Sequence, residues 1–199
     1  MFEVEIHMAL ASEQQAKELL KNAAKVGEQA QVDEYYDFAG LKLYRKKAFL
    51  RVRDHRKLNL KYFPQDTHTS VEVAFDFGSA ALQELHTIAS FLALRPFEKT
   101  RTDEQTVKEW LAENSLKPLI VIDKHRATYK DSTYTYMLDD VKGLGKYLEI
   151  ERETESAEEA RQIEEELKAY ARAAGVQKFE HKGYVQWYVE KYYPELLKA

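Results

Sequence analysis

The residues of this chain best equipped for chemistry are carboxylates and cations, and they are sorted by sign onto separate short segments. Near the start, Glu3, Glu5 and His7 alternate with Phe2, Val4, Ile6 and Met8. Successive side chains of a β-strand point to opposite sides, so one face of this segment is purely ionisable and the other purely apolar. Far downstream Glu149, Glu151 and Glu153 alternate with Leu148 and Ile150, which makes a purely acidic face. The cations lie elsewhere. Arg51 and Arg53 stand against Leu50 and Val52, Lys57, Asn59 and Lys61 stand against Leu58, Leu60 and Tyr62, and Lys124 and Arg126 form another i, i+2 pair. Asp139 falls on the polar register Thr133, Thr135, Met137, Asp139.

Any one of these segments reads well as a half-buried strand with a solvated polar face. Together they ask for more. An ordinary outer face mixes signs, because like charges side by side destabilise a sheet unless something offsets them. The sorting points to a ligand. The chain has no cysteine, so a bound metal has only oxygen or imidazole ligands, and clustered carboxylates suit hard divalent ions such as Mg²⁺ or Mn²⁺. Glu3, Glu5, Glu149 and Glu151, with Asp139, are the expected metal ligands. Arg51, Arg53 and Arg126 offer planar forks that match phosphate oxygens, and Lys61, Lys124 and Lys182 add point charges. A metal beside a row of cations is the equipment of phosphoryl transfer on a polyphosphate.

Period-two alternation recurs in segments that run Phe2 to Leu10, Val32 to Phe38, Phe49 to Arg53, Lys57 to Phe63, Thr69 to Phe77, Leu119 to Lys130, Thr133 to Val141 and Gly145 to Glu153. About eight strands predict a barrel or sandwich. Helical spacing predicts helices from Ser12 to near Gly27, from Ser79 through Leu92, from about Asp103 to Glu113, from Ser156 to a stop at Gly175, and from Tyr184 to Tyr192. The expected class is α+β: a closed eight-stranded antiparallel β-barrel with helices packed on the outside. Its apolar faces would lie under the helices and its charged faces inside, the inverse of a barrel filled by aliphatic side chains. At 199 residues, with no linker rich in Gly, Pro or Ser, a single domain over 1–199 is expected.

The net charge of −4 argues against a nucleic-acid surface. No apolar run approaches the roughly 20 residues of a membrane span, and MFEVEIHMAL lacks a basic segment before an apolar one. The expectation is a cytoplasmic protein with no membrane and no nucleic-acid partner.

These segments, taken in order, resemble the CYTH superfamily of triphosphate tunnel metalloenzymes, which includes class IV adenylyl cyclases, thiamine triphosphatases and inorganic triphosphatases. Glu3-Val4-Glu5-Ile6-His7 is similar to the family's ExExK, and LRVR at Leu50 to Arg53 and LNLK at Leu58 to Lys61 follow in family order. Asp123-Lys124-His125-Arg126 looks like the KxR strand, and LDDVKGLGKYLEIERE at Leu138 to Glu153 is close to the family's LDxVxGLGxFxExE segment. His181-Lys182-Gly183-Tyr184 looks like its KSY element, which would put Lys182 at the tunnel. The resemblance implies an eight-stranded tunnel barrel, a small-molecule triphosphate substrate and a homodimer.

Three features depart from the pattern. His7 stands where the family has Lys, and at that place it is a catalytic base, a metal ligand or a remnant; an imidazole titrates near neutrality. The strand around Ser70 keeps only Glu72 of an RxExE-like motif. The segment Arg95 to Pro118 is extra, and Glu98-Lys99-Thr100-Arg101 imitates KxR, although Lys124 and Arg126 fit the family order better. The leading functional expectation is a metal-dependent triphosphatase. A class IV adenylyl cyclase making cyclic AMP and a non-catalytic polyphosphate binder are the alternatives. The Tyr-rich stretch at Tyr184, Trp187, Tyr188, Tyr192 and Tyr193 is read as helix packing or a dimer surface.

Overall fold

Alternation of apolar and charged side chains produces the strands, and the computed structural model describes residues 2–64, 68–177, 179 and 182–198. The strands are β1 (Phe2–Ala9), β2 (Ala24–Asp37), β3 (Ala48–Arg53), β4 (Lys57–Tyr62), β5 (Thr69–Asp76), β6 (Lys117–Lys130), β7 (Thr135–Val141) and β8 (Gly145–Thr154). They close into an antiparallel barrel in the order β1-β5-β4-β3-β2-β6-β7-β8. The helices are α1 (Glu13–Leu19), α2 (Lys42–Arg45), α3 (Gln83–Phe91), α4 (Glu104–Glu113), α5 (Ala157–Ala173) and α6 (Tyr184–Tyr192), followed by a 3₁₀ turn at Pro194–Leu197. Among the described residues, no helix is long and apolar enough to cross a membrane.

Side-chain caps fix the starts of α1, α4 and α5. Ser12 accepts from Gln15 N, Asp103 from Thr106 N and Ser156 from Glu159 N, each satisfying a backbone donor that the first turn leaves without a partner. The first helix is shorter than its periodicity predicts. It ends at Leu19, and residues from Ala24 onward, Gly27 included, belong to β2. In the sheet β2 lies beside β6, with Glu28 Oε1 3.3 Å from His125 Nε2; strand pairing overrides weak helix propensity here. The short helix α2 escapes periodicity altogether. It is held by Asp37, whose carboxylate accepts from the backbone N–H of Phe38, Leu43 and Tyr44 at 2.6, 2.9 and 3.0 Å. Burial pushes the Asp37 carboxyl above its ordinary value despite those three bonds.

The chain gathers into two compact units. The first comprises Met1–Gln31, Phe63–Val71 and Asp123–Pro194. In it α5 lies on β1 and β8, and Ala160, Ile163, Leu167 and Ala171 of the helix bury Val4, Ile6, Met8, Leu148 and Ile150. The charged faces of β1 and β8 are thereby turned away from the helix, as the alternation predicts. The β7–β8 hairpin turns on Gly143 and Gly145, both at positive φ. At Gly143 a Cβ would stand 2.7 Å from the Tyr192 hydroxyl, which donates to Gly143 O at 2.7 Å. A close approach and a left-handed backbone together require glycine there.

The second unit comprises Val32–Tyr62, Glu72–Ile122 and Glu195–Ala199. Leu50, Val52, Leu58 and Leu60 of β3 and β4 share a core with Leu85 and Ile88 of α3 and Val107, Trp110 and Leu111 of α4. Arg51, Arg53, Asn59 and Lys61 occupy the opposite faces of those strands. The hairpin closes through Asp54, His55 and Arg56, the first two at positive φ, with the Arg56 N–H donating to Arg53 O at 2.9 Å.

Replacing Asp37 with Ala removes one acceptor from three backbone donors, two of which begin α2. Loss of such a cap costs about 1–2 kcal/mol. Urea unfolding of Asp37→Ala is expected to show a lower midpoint with an unchanged slope, the signature of altered stability alone.

Candidate metal and phosphate site

The acid cluster arises from the register of β1 against β8. His7 pairs with Glu149, Glu5 with Glu151 and Glu3 with Glu153, so the ionisable faces of the two strands coincide. One carboxylate oxygen from each of Glu3, Glu5, Glu149 and Glu151 lies within 4.8 Å of the others. Glu5 and Glu149 are buried at 2% and 6% exposure. Two oxygens bound to one ion at about 2.0–2.6 Å lie at most about 4.0–5.2 Å apart, so the four carboxylates are gathered to about the spread of one divalent cation's ligands. A second set of donors, on Glu5, His7 and Glu149, meets the same limit.

Lys124 and Arg126 on β6 stand next to this cluster. The register sets Arg126 opposite Asp139 of β7, and the guanidinium grips that carboxylate twice, Nε to Oδ1 and Nη2 to Oδ2, both at 2.7 Å. The same Nη2 donates to Glu149 Oε2 at 2.7 Å. Asp139 Oδ2 also accepts from Lys124 Nζ and from the Tyr184 hydroxyl, each at 2.9 Å. Burial on its own would raise the Asp139 carboxyl; the Arg126 hydrogen bonds and the charges of Arg126 and Lys124 hold it below its ordinary value. Burial opposes the Arg126 charge in turn, but Glu149 and Asp139 keep the group protonated. The Tyr184 hydroxyl is driven far up by burial and by Asp139 and Glu149.

Asp139, expected among the metal ligands, is therefore not brought into the four-carboxylate set. Four donor groups from three residues occupy its oxygens, and it acts as counter-ion to Lys124 and Arg126. Lys182, expected at the phosphates, donates to both carboxylate oxygens of Glu190 at 2.7 and 2.9 Å in an exposed pair; His181 of the same element lies outside the described residues. His7 Nε2 is 3.4 Å from Glu149 Oε2. The His7 ring lies 5.8 Å from that of Tyr184 and 6.3 Å from that of Trp187, and Trp187 stacks on Tyr147 at 4.6 Å.

The second unit carries its own cationic group. Arg53 is held side-on by Asp33, Nε to Oδ1 at 2.7 Å and Nη2 to Oδ2 at 2.9 Å. Arg51 reaches the Tyr35 hydroxyl at 3.2 Å and Glu72 Oε2 at 3.3 Å, with Asp33 Oδ2 at 3.5 Å. Burial works against the Arg51 charge, and Asp33, Tyr35 and Glu72 hold it protonated well above its usual range. Asn59 donates to Glu72 Oε1 at 2.7 Å, and Lys61 follows two residues later on β4, opposite Phe49. Buried Arg51 Nε and Asn59 Oδ1 have no hydrogen-bond partner among the described residues. The alternative KxR mimic does not join this group: Lys99 pairs with Glu113 at 2.7 Å and Arg101 with Asp103 at 2.8 Å.

Sequence reasoning overlooked Asp33, Tyr35 and the bond from Tyr184. A signal for the first two existed. Gln31, Asp33, Tyr35 and Asp37 repeat at i, i+2 along β2 and are all buried, a polar face of the same kind as those read on the other strands.

Residues 1–184 match the CYTH domain family, and the chain belongs to that family. Among solved structures it is similar to the PH1819 protein of Pyrococcus horikoshii OT3, at 22% identity and a TM-score of 0.73, over 95% of this chain and 99% of that one. A protein of Vibrio parahaemolyticus put forward as an adenylate cyclase aligns at 16% identity and a TM-score of 0.64, over 100% and 99% of the two chains. HpAC1 from Hippeastrum, described as having a dominant triphosphatase activity, aligns at 22% identity and a TM-score of 0.57, over 94% and 93%. At these identities the likeness is one of fold. No curated protein matches the sequence.

Removing Arg126 leaves Asp139 and Glu149 buried without their shared guanidinium, and breaking a buried pair in this way costs about 3–5 kcal/mol. Tyr184→Phe deletes one hydrogen bond to a charged acceptor, worth about 2 kcal/mol. Chemical denaturation at neutral pH without divalent metal is expected to rank Arg126→Met well below Tyr184→Phe, and both below the native chain.

Proposed function

We propose that the chain is a divalent-metal-dependent triphosphatase that hydrolyses the terminal phosphate of inorganic triphosphate or of a nucleoside or other organic triphosphate. One observation carries this reading: Glu149 belongs to the four-carboxylate cluster and also accepts from Arg126 at 2.7 Å. The group that would hold metal and the first cation that would grip phosphate thus adjoin. Glu3, Glu5, Glu149 and Glu151 would hold Mg²⁺ or Mn²⁺. When bound, such an ion neutralises charge on the reacting phosphoryl group and lowers the barrier to attack by water.

The cations of the chain do the binding. Lys124 and Arg126, with Arg51, Arg53 and Lys61, are the proposed phosphate ligands, and Lys182 is the remaining cation of that expected set. The carboxylates beside the arginines are part of the design: Asp139, Asp33 and Glu72 hold the guanidinium planes in place before substrate arrives. Fixed donors need little reorganisation when charge develops. The triphosphatase activity described for HpAC1 supports the same chemistry on this fold. A cyclase reading draws on the Vibrio relative and on the Gly143-Leu144-Gly145 segment that resembles the cyclase branch.

Incubation of the full chain with tripolyphosphate or ATP plus Mn²⁺ separates the readings by product. Release of orthophosphate is expected; cyclic AMP with pyrophosphate would move the chain to the cyclases, and tight binding without turnover would make it a binder. Glu5→Gln and Glu149→Gln each weaken the metal site. Since a bound metal supplies several kcal/mol of transition-state stabilisation, each is expected to lower kcat at least about a hundredfold.

A further inference from the structure

Two sets of donors overlap at the acid cluster, and they differ in chemical character. Glu3, Glu5, Glu149 and Glu151 offer oxygen alone, whereas Glu5, His7 and Glu149 offer two oxygens and a nitrogen. Glu5 and Glu149 are common to both and are the buried members, while Glu3 and Glu151 are only half-buried. An ion seated on Glu5 and Glu149 would therefore be within reach of His7 as well as of the outer carboxylates. The β-register brings them together: His7 is paired directly with Glu149 and lies two residues beyond Glu5 on the same face.

We infer that His7 is a nitrogen ligand of the bound ion, and that the site consequently takes a transition-metal ion in preference to Mg²⁺. The inference rests on the reading that the carboxylate cluster holds metal, and it deepens that reading. Carboxylate and water suit Mg²⁺, while imidazole adds most for ions further along the divalent series, from Mn²⁺ through Co²⁺ to Zn²⁺. His7 Nε2 already stands 3.4 Å from Glu149 Oε2, a separation that two ligands of one ion can adopt. The imidazole also packs among aromatic rings. Those of Tyr184 and Trp187 lie 5.8 and 6.3 Å away, and Trp187 is itself stacked on Tyr147, contacts that restrict how the imidazole can turn. A nitrogen lone pair given to a metal cannot take a proton, so His7 on this assignment is not the general base.

The test uses metal ions alone, so that it does not depend on turnover. Full-length protein freed of metal is titrated calorimetrically with Mg²⁺, Mn²⁺ and Co²⁺, and bound Mn²⁺ is examined by pulsed electron paramagnetic resonance for coupling to a ligand nitrogen. Native protein is expected to show that coupling and to bind Co²⁺ more tightly than Mg²⁺. In His7→Leu the coupling should vanish and Co²⁺ affinity should fall by about tenfold or more, with Mg²⁺ affinity little changed; His7→Gln serves if the leucine variant does not fold. Nitrogen coupling that is absent in native protein, or that persists in the variant with the metal preference intact, overturns the role of His7 and leaves the triphosphatase reading standing. Failure of native protein to bind any of the three ions, with Glu5→Gln indistinguishable from it, overturns both.

Discussion

Carboxylate set against carboxylate is the constraint around which the first unit is organised. The pairing of β1 with β8 puts Glu5 opposite Glu151 and Glu3 opposite Glu153, an arrangement that repels itself. What holds the two strands together lies on their other faces. Val4, Ile6, Met8, Leu148 and Ile150 are fully buried in the cluster that α5 completes, and burying each large aliphatic side chain contributes about 1.5–3 kcal/mol. The apolar face can therefore sustain a repulsive polar one. Arg126 relieves part of the repulsion at Glu149 and leaves room for a cation to relieve the rest.

The second unit solves the converse problem. There arginines are the excess charge, and acids on other strands restrain them: buried Asp33 takes Nε and Nη2 of Arg53, and half-buried Glu72 divides itself between Arg51 and Asn59. These acids do not cancel the cations so much as aim them. A buried guanidinium locked by one carboxylate still presents N–H donors, and Arg51 Nε is one that no described residue accepts from.

How much of this was legible follows from what repeats along the chain and what does not. Period-two alternation marks the strands that have one apolar face, and the long helix α5 declares itself by its stripe and its Ser156 cap. The first half of β2 could not be read. From Ala24 to Ala30 it carries small and polar residues exposed on both faces, so no period marks it, and only its neighbour β6 makes it a strand. The four residues of α2 are too few for a period, and a distant acid, Asp37, holds the turn. At the site, the faces bearing Glu3, Glu5, Glu149, Glu151, Lys124 and Arg126 were visible in the sequence. Which residue stands opposite which was not. The β6–β7 register sets Asp139, an expected metal ligand, opposite Arg126, and the pairing of Lys182 with Glu190 joins a residue just before α6 to one near its end.

The acid clamp is assembled from the first and the last strands in chain order, β1 and β8. During synthesis at about 5–20 residues per second, β1 emerges on the order of ten seconds before its partner exists. Over that interval its two glutamates serve as charged guards on a strand with an unpaired edge, discouraging it from joining other nascent chains. The carboxylate cluster is not complete until Glu151 has been added, so a nascent chain that stops short of β8 has only half of its acids.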